Sequence, residues 1–390
     1  MLTFEQSRLL KNLPTQFFAS LVGKVNRIKA EGHDVINLGQ GNPDQPTPAN
    51  VVERLKSAAD NPNNHKYPPF RGKRNLKQAA AQFYKREYGV DLDPEKNIAI
   101  LFGGKAGLVE LPQCLLNPGD IMLVPDPGYP DYWSGAALAN AKMEMMPLTE
   151  ENDFLPSYDR IHKEVAEKAK LMILNYPNNP TGAVADVDFF ERTAAFAAHH
   201  NICVCHDFAY GGIGFDGKKP VSFLQVDGAK EIGIEIYTLS KTYNMAGWRI
   251  AFAAGNPSVI EALNLLQDHL YVSLFGAVQD AAVEALSNTA EAAKKISDMY
   301  ESRRNAFISS LHDIGWHVEA PKGSFFAWLK IPSGYTSESF ADLLLEKAHV
   351  AVAPGIGFGQ FGEGFVRAGL LTSEERLQEA ASRIKKLGIF

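Results

Sequence analysis

The sequence predicts an α/β protein, with a large domain built on a doubly wound, mostly parallel sheet and a smaller α+β domain. Two observations predict this fold. Short, continuously apolar runs alternate with helical stretches between residues 97 and 255, and this pattern changes after residue 256. The apolar runs are bounded by polar or turn residues, as is typical of central strands in a parallel sheet that is covered on both faces.

The elements of the large domain follow one another in regular order. The predicted strands span residues 97–103, 121–126, 171–177, 202–207, 234–240 and 249–255. A helix follows the first strand through Leu115, and the stretch 186–200 has the length of a helix that joins two parallel strands. The smaller domain is predicted from two long helical stretches (256–286 and 290–313), strands at 325–330 and 364–370, and amphipathic helices at 337–348 and 373–387.

Composition and charge exclude several classes of function. The 390 residues include 39 Lys and Arg against 45 Asp and Glu, a net charge of −6, without a block of basic residues. This mild acidity argues against nucleic acids and anionic membranes as partners. No apolar run approaches the ~20 residues of a membrane span. The N-terminus lacks the features of a signal peptide and the three cysteines form no disulfide framework, so we expect a cytoplasmic protein.

Two short motifs carry little weight. Residues 357–362 match the Gly-x-Gly-x-x-Gly fingerprint of dinucleotide-binding proteins. They precede a predicted strand instead of opening a helix, so a loop is favoured. Cys203, Cys205 and Asp207 share one face of a strand, but two cysteines one residue apart chelate zinc poorly and the sequence offers no second ligand pair. We therefore expect no metal.

The strongest chemical signal is the segment from Thr238 to Arg249. Lys241 directly follows an apolar strand, where its amine is poorly solvated and tends to lose its charge. A neutral amine forms a Schiff base with an aldehyde. Thr238 and Ser240 offer hydroxyls, and Arg249, at the start of the next strand, offers an anion-binding fork. These groups together suit a phosphorylated aldehyde, pyridoxal 5′-phosphate, whereas the serine and lysine alone would fit an exposed loop equally well.

This segment resembles the cofactor-lysine signature of the class I and II aminotransferases. Four further elements occur in the order typical of that family, namely residues 37–44, the turn at 176–182, Asp207 with Tyr210, and Arg367. Within the family, similarity to the methionine-salvage branch is carried by the stretches 64–72, 101–108, 127–135 and 239–248.

The resemblance implies a fold type I pyridoxal-phosphate enzyme with a mostly parallel, seven-stranded sheet. It also implies three parts of the chain: an N-terminal arm with part of the small domain (1–44), a large cofactor-binding domain (45–286) and the rest of the small domain (287–390). The expected assembly is a homodimer with shared active sites. The expected reaction moves an amino group from an L-amino acid to a 2-oxo acid by a ping-pong mechanism.

Roles for individual residues follow from the same resemblance. Lys241 would hold the cofactor and carry a proton to and from the substrate Cα, and Asp207 would pair with the protonated ring nitrogen. Tyr210 would hydrogen-bond to the 3′ oxygen of the ring, and Tyr129 would stack on the ring. The phosphate site would consist of Gly103, Gly104, Lys105, Thr238, Ser240 and Arg249, with Tyr67 entering from the neighbouring subunit. The family commonly has Ser or Thr where this chain has glycine and Lys105, and serine where it has Thr238.

The substrate α-carboxylate is expected to bind Arg367 through a bidentate fork, with Gly41 and Asn179 as further donors. Asn179 would also contact the 3′ oxygen of the cofactor.

The pocket for the substrate side chain is predicted to be neutral. Aspartate aminotransferases place an arginine from the partner subunit where this chain has His269, and an imidazole is mostly neutral at pH 7 and offers no fork. Phe17 and Phe18 are candidate lining residues. We therefore expect glutamine, methionine or aromatic donors, with 4-methylthio-2-oxobutyrate among the acceptors. If Lys105 or Arg71 supplied a distal cation, aspartate- or LL-diaminopimelate-type activity would follow, and a lyase on the same scaffold is a further alternative.

Overall fold

The computed structural model describes residues 2–14 and 17–390, and the side chain of Phe17 also lies outside the described part. The helices are α1 (Arg8–Lys11), α2 (Phe17–Ala30), α3 (Ala49–Ala59), α4 (Arg74–Tyr88), α5 (Gly104–Leu115), α6 (Asp131–Leu138), α7 (Lys163–Ala166), α8 (Val187–His200), α9 (Ala229–Ile232), α10 (Leu239–Thr242), α11 (Pro257–Leu270), α12 (Gly276–Asn288), α13 (Ala290–Asp313), α14 (Ser337–Leu343) and α15 (Glu374–Lys385). The strands are β1 (Ile36–Asn37), β2 (Ile98–Leu101), β3 (Ile121–Asp126), β4 (Lys142–Pro147), β5 (Ala169–Leu174), β6 (Cys203–Asp207), β7 (Gly233–Thr238), β8 (Ala251–Gly255), β9 (Phe326–Lys330), β10 (Val350–Ala351), β11 (Ala353–Pro354) and β12 (Phe365–Gly369).

A seven-stranded sheet in the order β2-β8-β7-β6-β5-β3-β4 forms the centre of the molecule. Its pairings are parallel except those of β8, which runs antiparallel to both β2 and β7. Every residue of β2, β7 and β8 is buried, which explains why these strands are apolar in sequence apart from Glu235 and Thr238 of β7. The α/β fold with a mostly parallel seven-stranded sheet is thereby confirmed.

Strand β4 is absent from the sequence-based prediction. It lies at the edge of the sheet, and its first three residues are exposed, so Lys142–Pro147 does not form an apolar run. An edge strand needs only one hydrogen-bonded neighbour and one covered face, which leaves a weak pattern in the sequence.

The connection between β7 and β8 differs from the prediction in its details. Strand β7 ends at Thr238 instead of continuing to residue 240, and the chain enters the short helix α10. Strand β8 begins at Ala251, so Arg249 does not open it. Arg249 instead lies in the connection with a left-handed backbone, at a φ of +55°. Because β7 and β8 are antiparallel neighbours, residues 239–250 leave and re-enter the sheet at the same edge.

The predicted helical stretch 256–286 is two helices, α11 and α12, with residues 271–275 between them. The helix predicted over residues 337–348 is present, but it ends in a π-helical turn over Leu344–Ala348. No helix among residues 2–14 and 17–390 has the length and apolar character needed to cross a membrane.

Two further sheets lie beside the large one. Strands β11, β12 and β9 form an antiparallel sheet, and β1 pairs in parallel with β10. Ile36 and Leu38 therefore share a hydrophobic cluster with residues of α13, α14 and α15, far away in sequence. The N-terminal segment packs with the C-terminal part of the chain, while the domain boundaries at residues 44 and 286 remain a prediction.

Candidate active site

A cavity of about 370 Å³ lies at the carboxyl edge of the parallel strands β5, β6 and β7. Ligand sites in open α/β sheets occur at this edge. The predicted site residues that line the cavity are Gly41, Gly104, Lys105, Tyr129, Asn179, Asp207, Tyr210, Thr238, Ser240, Lys241, Arg249 and Arg367. Sequence reasoning did not single out Leu108, Asp131, Asn175, Ala209, Ala246 and Phe326, which also line it.

Lys241 enters the cavity from α10, directly after the buried strand β7. Its Nζ atom donates a hydrogen bond to the carbonyl oxygen of Gly41 at 2.9 Å and lies 5.3 Å from the centre of the Phe325 ring. Burial, together with the positive charges of Arg367 and Arg249, lowers the pKa of Lys241 to about 8. At neutral pH a substantial fraction of this amine is therefore unprotonated and nucleophilic.

Asp207 ends β6 and is almost completely buried. Its Oδ2 atom accepts a hydrogen bond from the hydroxyl of Tyr132 at 2.7 Å. Burial raises the pKa of Asp207 to about 6, although the hydrogen bond from Tyr132 acts in the opposite direction. No side chain of the described residues forms a salt bridge with Asp207. A buried carboxylate in this position is complementary to a cationic ligand atom.

Tyr132 is a site residue that sequence reasoning missed. It lies in α6, three residues after Tyr129, and is fully buried. The sequence offers one signal, a tyrosine directly after the turn at residues 127–130, but it does not identify the distant carboxylate that the hydroxyl meets.

Arg367 lies in the middle of β12 with only 2% of its surface exposed. Its Nη1 atom donates to Asn179 Oδ1 at 2.8 Å and its Nη2 atom donates to the carbonyl oxygen of Gly39 at 3.0 Å. The buried Nε atom has no hydrogen-bond partner within residues 2–14 and 17–390. Burial lowers the pKa of Arg367 to about 10. Nothing in the described chain pairs this buried cation with a carboxylate, and the site is therefore complementary to an anionic ligand.

Aromatic rings surround the Arg367 guanidinium. Its Cζ atom lies 4.0 Å from the ring centre of Phe326, 4.6 Å from that of Phe358 and 5.3 Å from that of Phe18. These contacts hold the guanidinium plane in place and keep water away from it.

The opposite end of the cavity is formed by the turn before α5 and by the β7–β8 connection. Gly103 does not line the cavity, but it packs directly against Arg249. A Cβ atom added there would lie 2.3 Å from Arg249 Nη2, and the φ of +89° also favours glycine. Helix α5 begins at Gly104, so its first backbone N–H groups are available to an anion. The hydroxyl of Thr238 donates to Ser240 Oγ at 2.9 Å. Arg249 is exposed, and its Nη1 atom donates to the carbonyl oxygen of Ala246.

Lys105 is less free to bind an anion than the sequence suggested, because its Nζ atom forms a salt bridge with Asp131 at 2.8 Å.

The tyrosines of the cavity pack against other aromatic rings. The rings of Tyr129 and Tyr132 meet edge to face at 5.7 Å between centres, and Tyr210 packs against Phe325 in the same manner at 5.2 Å. Burial raises the pKa of both Tyr129 and Tyr210, so both phenols are protonated at neutral pH.

The remaining predictions concern residues that lie elsewhere or are not described. Tyr67 lies outside the cavity with 88% of its surface exposed, and its contribution to a neighbouring subunit remains a prediction. His269 is also exposed and does not line the cavity of its own chain. Phe18 lines the cavity, whereas the side chain of Phe17 falls outside the described residues.

A half-buried amine, a buried carboxylate and a buried guanidinium without a carboxylate partner surround one cavity, and this arrangement suits an enzyme that binds anionic substrates. A family model described as aminotransferase class I and II matches residues 33–384, and the chain belongs to this family. The protein is thus an aminotransferase, as its sequence motifs predict.

Relatives along the whole chain support this assignment. The chain is 70% identical over 387 residues to the L-glutamine–4-(methylsulfanyl)-2-oxobutanoate aminotransferase of Bacillus subtilis strain 168, covering 99% of this chain and 97% of the relative. It is 45% identical to the LL-diaminopimelate aminotransferase of Moorella thermoacetica, covering 98% of each. A substrate-bound structure of BacF from Bacillus subtilis superimposes with a TM-score of 0.95 at 51% identity, covering 100% of this chain and 98% of that one.

Proposed function

We propose that this aminotransferase uses pyridoxal 5′-phosphate to transfer the amino group of glutamine, or of a similar neutral amino acid, to 4-(methylsulfanyl)-2-oxobutanoate. The observation that carries the proposal is one cavity in which the buried Asp207 and Arg367 and the half-buried Lys241 all lack a salt-bridge partner among the described residues. The 70% identical relative named for these two substrates supports their choice. The reaction would return methionine from its 2-oxo acid, the chemistry of a methionine-salvage step.

The residues of the cavity fit the cofactor. The unpaired carboxylate of Asp207 suits a protonated pyridine nitrogen, and the amine of Lys241 suits an aldehyde. At the far end, Ser240, Arg249 and the first N–H groups of α5 suit a phosphate. When bound, the cofactor supplies an aldehyde that takes up the amino group and a ring that accepts the electron pair released at the substrate Cα.

Lys241 is the proton carrier in this proposal. Its pKa of about 8 leaves enough neutral amine at physiological pH to accept a proton from Cα, while the conjugate acid is strong enough to return it. Asp207 retains negative charge at pH 7 and holds a proton on the ring nitrogen, and Tyr132 fixes the orientation of its carboxylate. Arg367 and Asn179 orient the substrate through its α-carboxylate, with the aromatic rings around Arg367 excluding water.

A neutral substrate side chain is favoured because both candidate distal cations already have anionic partners. Arg71 forms salt bridges with Glu261 and Asp268 at 2.8 and 2.9 Å. Lys105 is paired with Asp131. Recruiting Lys105 for a substrate carboxylate would leave the buried carboxylate of Asp131 unpaired, which costs binding energy.

A homodimer is part of the proposal. Exposed apolar side chains cluster on the segments that flank Arg71 and its partner Asp268, namely Tyr67 (88% exposed), Phe70 (61%), Leu270 (55%) and Phe275 (46%). Apolar patches of this kind are typical of surfaces that a second protein covers. We infer that a second copy of the chain covers them and that Tyr67 of that copy reaches the phosphate end of the cavity.

The substrate assignment is tested by measuring kcat/KM of the cofactor-loaded enzyme for glutamine, phenylalanine, aspartate and LL-diaminopimelate, with 4-(methylsulfanyl)-2-oxobutanoate as the fixed acceptor. We expect the best neutral donor to exceed aspartate by at least about tenfold, the scale of one missing charge-assisted contact. A tenfold preference for aspartate would contradict the neutral pocket. Formation of a stoichiometric 2-oxo acid product separates transamination from lyase chemistry.

A further inference from the structure

The glycine-rich loop over residues 355–362 binds an anion of its own chain. It consists of two short 3₁₀ turns, Gly355–Phe358 and Gln360–Gly362. The backbone N–H of Gln360 donates to Asp126 Oδ2 at 3.1 Å, and that of Phe361 donates to Asp126 Oδ1 at 3.0 Å. The sequence that resembles a phosphate-binding fingerprint thus holds a carboxylate at the end of β3.

The fit between loop and carboxylate is close. Gly359 has a φ of +129°, and a Cβ atom added there would lie 2.0 Å from Asp126 Oδ1. A neighbouring backbone bond, from Gly128 N–H to the carbonyl oxygen of Phe358 at 2.8 Å, fastens the loop at a second point. The loop from the C-terminal part of the chain is therefore tied to the carboxyl end of β3 in the large sheet.

The loop carries Phe358 to the substrate end of the cavity. Its side chain is completely buried, and its ring centre lies 4.6 Å from Arg367 Cζ and 5.8 Å from the ring centre of Phe18. The peptide of Phe358 is fastened by Gly128, and the two residues after Gly359 are fastened by Asp126. The position of the ring over the guanidinium consequently depends on these anchors.

We propose that Asp126 is a positioning residue for substrate binding: its carboxylate fixes the loop that holds Phe358 against Arg367, and thereby sets the affinity for the carboxylate of both substrates. This inference rests on the proposed role of Arg367. Asp126 itself does not line the cavity, so it acts through the loop.

Both carboxylate oxygens of Asp126 act as acceptors toward the loop. Each accepts one backbone N–H group, and such hydrogen bonds are stronger to an ionised carboxylate than to a neutral group. Replacing Asp126 with Asn puts an NH₂ group against one of these donors at almost unchanged volume. The loop then loses one anchor without a cavity being created.

The test compares Asp126→Asn with Asp93→Asn in the cofactor-loaded enzyme. Asp93 is a matched control, since its Oδ1 atom also accepts two backbone N–H groups, from Glu95 and Lys96, but in an exposed turn. For Asp126→Asn we expect KM for both the amino acid and the 2-oxo acid to rise about tenfold, the scale of one hydrogen bond to a charged group. We expect kcat to stay within about twofold, hydrogen exchange at the Gln360 and Phe361 amides to accelerate, and Asp93→Asn to behave like wild type.

Two results would overturn the inference: unchanged KM values in Asp126→Asn, or a lower kcat at unchanged KM, which would indicate a loss of folded enzyme only. Gly359→Ala attacks the same contact from the loop side and should reproduce the rise in KM if Asp126→Asn does not fold. In a Phe358→Leu background, Asp126→Asn should add less than about twofold to KM, since its effect passes through that ring. A further tenfold rise in KM in this background would show that Asp126 does not act through Phe358.

Binding of 4-(methylsulfanyl)butanoate, which has the carboxylate but no reacting group, separates this inference from the proposed function. If wild type binds it and Arg367→Lys does not, the role of Arg367 holds. If, in addition, Asp126→Asn binds it as tightly as wild type, only the role of Asp126 is rejected. If wild type fails to bind it, the proposed function itself fails.

Discussion

Lys241 and Arg367 lie in the same cavity, and burial acts on both, with opposite chemical results. Burial lowers the pKa of Lys241 to about 8 and that of Arg367 to about 10. The lysine therefore changes its charge close to physiological pH, while the arginine remains a cation. The difference lies in the intrinsic basicity of the two groups, since a delocalised guanidinium keeps its proton under conditions that release it from an ammonium.

The two side chains also differ in how firmly their surroundings hold them. Arg367 is fixed by two hydrogen bonds and by three aromatic rings in the middle of a strand. Among the described residues, the amine of Lys241 has one hydrogen-bond partner, the carbonyl oxygen of Gly41, and the side chain extends from a helix of four residues. A fixed charge suits the binding of a carboxylate, whereas a proton carrier must reach more than one atom during the reaction.

The largest expected effect is that of Lys241→Ala. Removing both the group that bonds the aldehyde and the proton carrier should lower kcat by at least about 10⁴-fold. The cofactor should still bind, because Asp207, Ser240 and Arg249 remain. Single-turnover kinetics and the retained cofactor absorbance measure the two effects separately. Substantial turnover in this variant would show that another group carries the proton.

A smaller effect is expected for Arg367→Lys, which keeps the charge but loses the planar fork and the stacking on Phe326. We expect kcat/KM to fall about 100-fold for every amino acid substrate, since a buried charge-assisted pair is lost. Cofactor affinity should be unchanged, because this residue contacts only the substrate end. A variant within about threefold of wild type would mean that the fork is not what holds the carboxylate.

The smallest effect concerns pH, and it tests the comparison directly. In the cofactor-free protein, the neutral fraction of Lys241 rises as the pH passes about 8, so its labelling by an amine reagent should increase about tenfold between pH 7 and 9 and then level off. Exposed lysines in the same digest should keep rising, as their pKa is near ~10.4. Mass spectrometry of the Lys241 peptide gives the midpoint. A midpoint above 10 would place the amine in a more hydrated environment than the structure describes.

The sequence was sufficient to predict the fold class and about two thirds of the residues that line the cavity. The buried strands are mostly apolar. Asp207 is the last residue of one of them, and Lys241 and Asn179 follow within five residues of the ends of two others, so one edge of the sheet brings the three together. The role of Asp207 follows from the resemblance, but its burial follows from position alone.

Other features depend on tertiary contacts that no local pattern contains. The hydroxyl of Tyr132 reaches Asp207 across 75 residues, and Arg71 meets Asp268 across 197. Arg249 was expected at the start of a strand, but it lies in the connection before that strand, with a left-handed backbone conformation. The partner of the glycine-rich loop, Asp126, is separated from it by more than 230 residues, and its sequence context gives only a strand end.

The antiparallel strand β8 limits how this active site can change in evolution or engineering. Because β7 and β8 are adjacent, the twelve residues 239–250 are tethered at both ends to positions that the sheet fixes, with Thr238 paired to Ala251. This one short connection carries Ser240, Lys241, Ala246 and Arg249 to the cavity. The amine and the guanidinium therefore have a fixed spacing, and an insertion or deletion between them would displace both at once. The length of this connection is therefore as constrained as the identity of its site residues.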